Sequence, residues 1–153
     1  MELRSEAFKE GERIPAKYTC DGEGVSPSVV FMDVPDNAQR LVLIMEDPDV
    51  PKSLREDGMW DHWVVFNMPA DTSGIVEGGV PAGVVGKNTR EGNAYGPPCP
   101  PDREHRYFFK LFALDDELNL DKSATKADVE RAMEGHILDS ASLMGRYERG
   151  CKI

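Results

Sequence analysis

The stretch His105–Leu114, HRYFFKLFAL, is the longest run of strand-type residues in the chain and decides the fold class. Aromatic and branched side chains suit a pleated surface, and the run alternates cleanly. Tyr107, Phe109, Leu111 and Ala113 fall on one face, while Arg106, Phe108, Lys110 and Phe112 fall on the other. Leu41–Met45 (LVLIM) is a shorter, uninterrupted apolar run of the kind that suits a strand buried on both faces. His62–Pro69 (HWVVFNMP) reads as another strand, ended by its proline. Val29–Met32 and Leu143–Glu148 are weaker candidates. One helix is predicted late in the chain, capped by Thr125 with Asp128 three residues on and closed near Gly135. Val129, Ala132 and Met133 would form its apolar stripe. Many strands and a single late helix point to a mainly β, antiparallel domain and not to alternating βαβ units.

The 153 residues suffice for one domain, 1–153, with a core of its own. Eighteen Lys and Arg against 28 Asp and Glu leave a formal charge of −10, which opposes binding to nucleic acid and to anionic membrane faces. No apolar run approaches the ~18 residues of a membrane-spanning helix, and the polar start MELRSEAFKEGER carries no signal-peptide pattern. Cys20, Cys99 and Cys151 have no metal-ligand spacing. Their plain reading is free thiols in a reduced, cytoplasmic protein. The alternative is a Cys20–Cys99 bridge, since both lie in loops rich in Gly or Pro.

Residues 70–104 hold seven of the 14 glycines and five of the 11 prolines, the composition of one long functional loop. Its end, YGPPCPP, is stiffened by prolines as a binding rim requires. Three polar clusters adjoin strands. In MEDPDVP, Asp47 and Asp49 follow a buried run, and an Asx-type turn is the structural alternative to a site role. His62 heads an apolar strand and could equally be a satisfied core residue. In EHRY, alternation puts His105 and Tyr107 on one side and turns Arg106 away, toward a structural ion pair.

The succession YTCDGEGVSPS, MEDPDVP, DHWVVFNMP, YGPPCPP, EHRYFFKLFALD and GHILDSASLMGRYER resembles the phosphatidylethanolamine-binding protein family, in particular its prokaryotic branch. The same family includes Raf kinase inhibitor protein. The resemblance runs from about Tyr18 to Arg149. It implies a large antiparallel sheet packed with a smaller sheet, a few short helices, and a small pocket for phosphate-like anions or phospholipid head groups. Matched position by position, it assigns ligand binding to Asp47, Asp49, His62, Gly96, Cys99, Pro100, His105 and Tyr107, with the proline loop at Gly96–Pro101. Phe31, Pro97 and the pair Arg103–Glu104 depart from the family pattern, and the last two sites would shape the pocket mouth.

The chemistry of these residues agrees with an anion site. Two imidazoles, a phenol and loop N–H groups are donors to phosphate oxygens. Asp47 would hold His62 or His105 in its donating tautomer, or else meet a ligand ammonium; the first works for any anion. The expected function is non-enzymatic binding of a small phosphorylated or anionic ligand, with a kinase or protease as protein partner and a homodimer left open. No cofactor or metal is expected. The alternatives are a serine-protease inhibitor acting through an exposed loop, and a hydrolase using the Asp, His and Cys99 cluster.

Overall fold

The computed structural model describes residues 1–150. The strands in chain order are β1 (Glu2–Arg4), β2 (Val29–Met32), β3 (Arg40–Asp47), β4 (Trp60–Pro69), β5 (Gly74–Ile75), β6 (Val84–Val85), β7 (His105–Leu114) and β8 (Ile137–Tyr147). One α-helix, α1 (Lys126–Met133), lies between β7 and β8. Five strands form the larger sheet in the order β6-β4-β3-β7-β8, and three form the smaller in the order β1-β2-β5. Every pairing within both sheets is antiparallel.

The LVLIM run is apolar throughout because β3 is central and covered on both faces. Leu41, Leu43 and Met45 pack into the main core with Phe31 and Val29 of the smaller sheet. Val42 and Ile44 point the other way, into a second core with Val64, Phe66, Val129 and Met133. Helix α1 closes that second layer. It starts as its sequence predicts, with Thr125 and Asp128 in a reciprocal capping box, and it buries Val129 and Met133. Its first residue, Lys126, lies within 3.2 Å of Glu46 and 2.9 Å of Asp61, which pins the helix to β3 and β4. On β7 the predicted apolar face of Tyr107, Phe109, Leu111 and Ala113 is completely buried, and Arg106 is exposed.

Two expectations change. The long loop of residues 70–104 contains β5 and β6, two-residue strands too short to show any period in sequence. Cys20 and Cys99 are joined in a disulfide and are not free thiols, so cysteine usage no longer argues for a reducing compartment. Cys151 lies outside the described residues. The bridge ties the proline loop to the turn after Tyr18, and two neighbouring hydrogen bonds reinforce it. Cys20 N–H donates to the Pro98 carbonyl at 3.0 Å, and the Tyr95 hydroxyl donates to the Tyr18 carbonyl at 2.7 Å.

With 79 residues separating the two cysteines, loop-closure arithmetic gives the bridge roughly 4–5 kcal/mol of stability. Replacing both cysteines by Ser should lower the unfolding free energy by that order in denaturant titrations. Thiol titration of the unfolded protein should find two fewer thiols before reduction than after. Equal thiol counts would contradict the bridge.

Candidate functional site

At one end of the larger sheet β3, β4 and β7 border a cavity of about 380 Å³, lined on its outer side by the proline loop. That volume suits a small molecule or a head group. Seven of the eight residues assigned from sequence line it: Asp47, His62, Gly96, Cys99, Pro100, His105 and Tyr107. Asp49 does not. Its carboxylate accepts from the Arg106 guanidinium at 2.8 and 2.9 Å and from the Arg106 backbone N–H at 2.9 Å. The strand alternation that buries His105 and Tyr107 turns Arg106 outward, and Asp49 follows it. Arg106 holds the Asp49 carboxyl below the usual carboxylate range.

His62 reaches the cavity through a break in strand register. Met45 and Glu46 are consecutive on β3, yet they face Trp63 and Asp61, so His62 is an extra residue on β4. Such a bulge re-aims a side chain and commonly borders functional sites. Gly96 meets His62 twice: its N–H donates to the His62 carbonyl at 2.8 Å, and its own carbonyl lies 2.7 Å from His62 Nδ1. A carbonyl can only accept, so Nδ1 carries the ring proton and Nε2 of the neutral ring presents a lone pair. A Cβ on residue 96 would stand 3.2 Å from the His62 carbonyl, tight enough to disturb this pairing. Burial pushes the His62 pKa down to about 4, so the neutral ring is the form present at neutrality.

His105 is completely buried and bonded at both ring nitrogens, Nδ1 to Asp47 at 2.6 Å and Nε2 to Asp102 at 2.7 Å. Each contact between nitrogen and carboxylate needs one proton, so the three groups share two protons and a net charge of −1. Asp47 therefore orients His105, and its second oxygen accepts from the Asp49 N–H at 2.8 Å in the Asx-type turn foreseen for DPD. Burial raises the Asp47 carboxyl, with the bond to His105 opposing, whereas the bond to His105 lowers Asp102.

The expected set of donors is thus smaller than sequence suggested. Both His105 nitrogens are engaged, and His62 offers an acceptor. In Gly96–Pro101 four residues are proline, and the Gly96 N–H is taken, which leaves the N–H of Cys99. Tyr107 remains: it is fully buried, lines the cavity, and its hydroxyl has no hydrogen-bond partner among the described residues. Burial and the nearby Asp47 carboxylate raise its pKa, so the phenol stays protonated and able to donate.

Sequence reasoning passed over two residues here. Arg90 is exposed, lines the cavity, and forms no ion pair among the described residues. The Asn88 side chain holds its turn by accepting from the N–H groups of Arg90 and Gly92 at 2.9 and 3.0 Å. An Asn and a Gly four residues apart are a turn signal that could have located it. Asp102 follows the proline run and carried no such signal. Of the departures from the family pattern, Pro97 lines the cavity. Arg103 and Glu104 turn away from it, toward the Asp49 carbonyl and Arg146.

A His buried neutral costs stability in acid. The unfolded ring titrates near ~6.5 and the folded one at about 4, so stability attributable to His62 is intact above pH 6.5 and is lost as pH falls toward 4. The loss should total roughly 3 kcal/mol. Denaturant titrations from pH 7 to 4 should show a shallower decline in His62→Gln than in the native protein, and parallel declines would contradict a buried neutral ring.

Comparison with known proteins agrees with this architecture. The family model for phosphatidylethanolamine-binding protein matches residues 4–148. A UPF0098 protein of Chlamydia pneumoniae is 50% identical over 149 residues, covering 97% of this chain and 99% of its own. One from Methanothermobacter thermautotrophicus is 47% identical, covering 98% and 100%. The crystal structure of CT736, a phosphatidylethanolamine-binding protein homolog from Chlamydia trachomatis, superposes with a TM-score of 0.95 at 50% identity, over 97% of each chain. Escherichia coli YbcL, described as a member of the mammalian PEBP family, gives 0.87 at 27% identity, over 97% and 98%. With two antiparallel sheets, a matching family model and relatives at half identity, this chain belongs to the phosphatidylethanolamine-binding protein family.

Proposed function

We propose that the protein is a non-enzymatic binding protein whose cavity takes the anionic head of a small, phosphate-bearing ligand. The observation that carries this reading is the Tyr107 hydroxyl, buried beside the cavity without a partner among the described residues. An unmade hydrogen bond on a buried group costs about 1–3 kcal/mol, and a ligand oxygen would recover it. The cationic Arg90 at the rim supplies the charge complement in a chain that is otherwise acidic. Family membership supports a binding role.

A hydrolase reading that relied on Cys99 as a thiol nucleophile loses its chemistry, because that sulfur is bonded to Cys20. For a protease inhibitor no particular exposed loop is favoured by burial, charge or geometry. No helix among the described residues is long and apolar enough to cross a membrane.

Calorimetry with inorganic phosphate tests the reading. Tyr107→Phe should weaken binding by roughly 1.5–3 kcal/mol, the range for a hydrogen bond to a charged partner. It should leave unfolding stability equal or higher, because the hydroxyl it removes has no partner among the described residues. Unchanged phosphate affinity in this variant, or no phosphate binding by the native protein, would refute the assignment.

A further inference from the structure

Donors and acceptors in the cavity are arranged so as to prefer one kind of anion over another, a preference that presupposes the anion-binding role proposed for the site. A ligand meets a neutral donor, the Tyr107 hydroxyl, and a neutral acceptor, His62 Nε2, whose rings stand 5.3 Å apart edge to face, with the Cys99 N–H and the Arg90 guanidinium as further donors along the wall. The acceptor is fixed by the fold. Gly96 holds the other ring nitrogen with its carbonyl and the His62 carbonyl with its N–H, so the tautomer cannot be exchanged without losing the contact that seats the loop. A fully ionised oxyanion would satisfy Tyr107 and set its lone pairs against that of His62.

We propose that the cavity selects phosphate groups that bear a hydroxyl, namely inorganic phosphate or a phosphate monoester in its monoprotonated form, over phosphodiesters and sulfate. The P–OH donates to His62 Nε2 while a neighbouring P–O⁻ accepts from Tyr107, so one tetrahedral group meets both demands. A phosphodiester, the form of phosphate in a phospholipid head group, has no P–OH at neutral pH, and neither does sulfate.

The surrounding charges act in the same direction. Asp47 on β3 faces the cavity with both oxygens already engaged, by His105 and by the Asp49 N–H. From β7 come Tyr107 and His105, and Asp102 lies on the far side of the His105 ring. The chain Asp47–His105–Asp102 carries a net charge of −1 and disfavours a dianion. Arg90, from the loop, attracts any anion but does not distinguish a protonated from an unprotonated one.

A proton could come from the ligand or reside on His62, and the populations decide between them. With the ring held at about 4, roughly one imidazole in a thousand is charged at pH 7. A phosphate monoester, whose second pKa is ~6, is about one-tenth monoprotonated at pH 7. The ligand is the better source by about a hundredfold.

The test uses the native protein and four probes in calorimetry at pH 6 and pH 8: inorganic phosphate, phosphoethanolamine as monoester, glycerophosphoethanolamine as diester, and sulfate. Phosphoethanolamine affinity should fall about fiftyfold from pH 6 to pH 8, following its monoprotonated fraction. Inorganic phosphate, which keeps a hydroxyl in both ionic forms, should fall far less. Sulfate and the diester should bind at least about tenfold more weakly than the monoester at pH 6. In His62→Gln the side-chain amide can turn its NH₂ to the cavity, so sulfate should gain affinity and the monoester should lose its pH dependence. Sulfate or diester binding as tight as the monoester, with no pH trend, would overturn the selection and leave the phosphate reading standing. Failure of all four probes to bind at either pH would overturn both.

Discussion

The paired hydrogen bonds between His62 and Gly96 are the constraint on which the site depends. Through them the bulge on β4, the seat of the proline loop and the state of the imidazole become one arrangement. The bulge frees His62 from a cross-strand partner. At Gly96 the loop returns its carbonyl to the ring and its N–H to the backbone, which seats the loop along the cavity wall. The disulfide from Cys99 to Cys20 holds the same loop from its other end, so Gly96 is not left to keep its place through two hydrogen bonds alone.

Electrostatics then give the cavity a character that the overall charge of −10 conceals. Asp47 is almost completely buried, but its charge is spent internally on His105 and on the turn at Asp49. Asp102, half in solvent, completes the chain of carboxylate, imidazole and carboxylate. What remains for a ligand is the Tyr107 hydroxyl and the Cys99 N–H as neutral donors, His62 Nε2 as a neutral acceptor, and a cation at the rim. On the proposed reading such a site would discriminate by hydrogen-bond complementarity more than by charge, because a buried polar group left unmatched costs more than an exposed ion pair returns.

Much of this was legible in the sequence, and the residues show why. The alternation on His105–Leu114 and the unbroken apolar run at Leu41–Met45 report burial directly, one face for the first and both for the second. The capping box at Thr125 is a local signal and appears where it was read. Family motifs located seven lining residues, four at or near ends of β3, β4 and β7 that the sheet brings together and three in the proline loop beside them. What escaped depends on geometry that no spacing encodes. The bulge at His62 is invisible because an extra residue in a strand leaves its composition unchanged. The family resemblance assigned Asp49 together with Asp47 through the DPD motif, although the partner of Arg106 is set by which side of β7 faces out. Cys20 and Cys99 meet only once two distant loops are folded over one sheet end. The roles of the two histidines turn on which atoms their nitrogens face, a matter of ångströms.

The state of the His62 ring is therefore the point at which the account is most exposed. Long-range ¹H–¹⁵N correlation spectra of the free protein at neutral pH distinguish the two imidazole tautomers and the cation directly. The structure predicts a protonated Nδ1 and a bare Nε2 for His62, with the signals unchanged as pH is lowered through the ordinary histidine range. A proton on Nε2, or a cationic ring at pH 7, would contradict the claim that this cavity offers its ligand an acceptor.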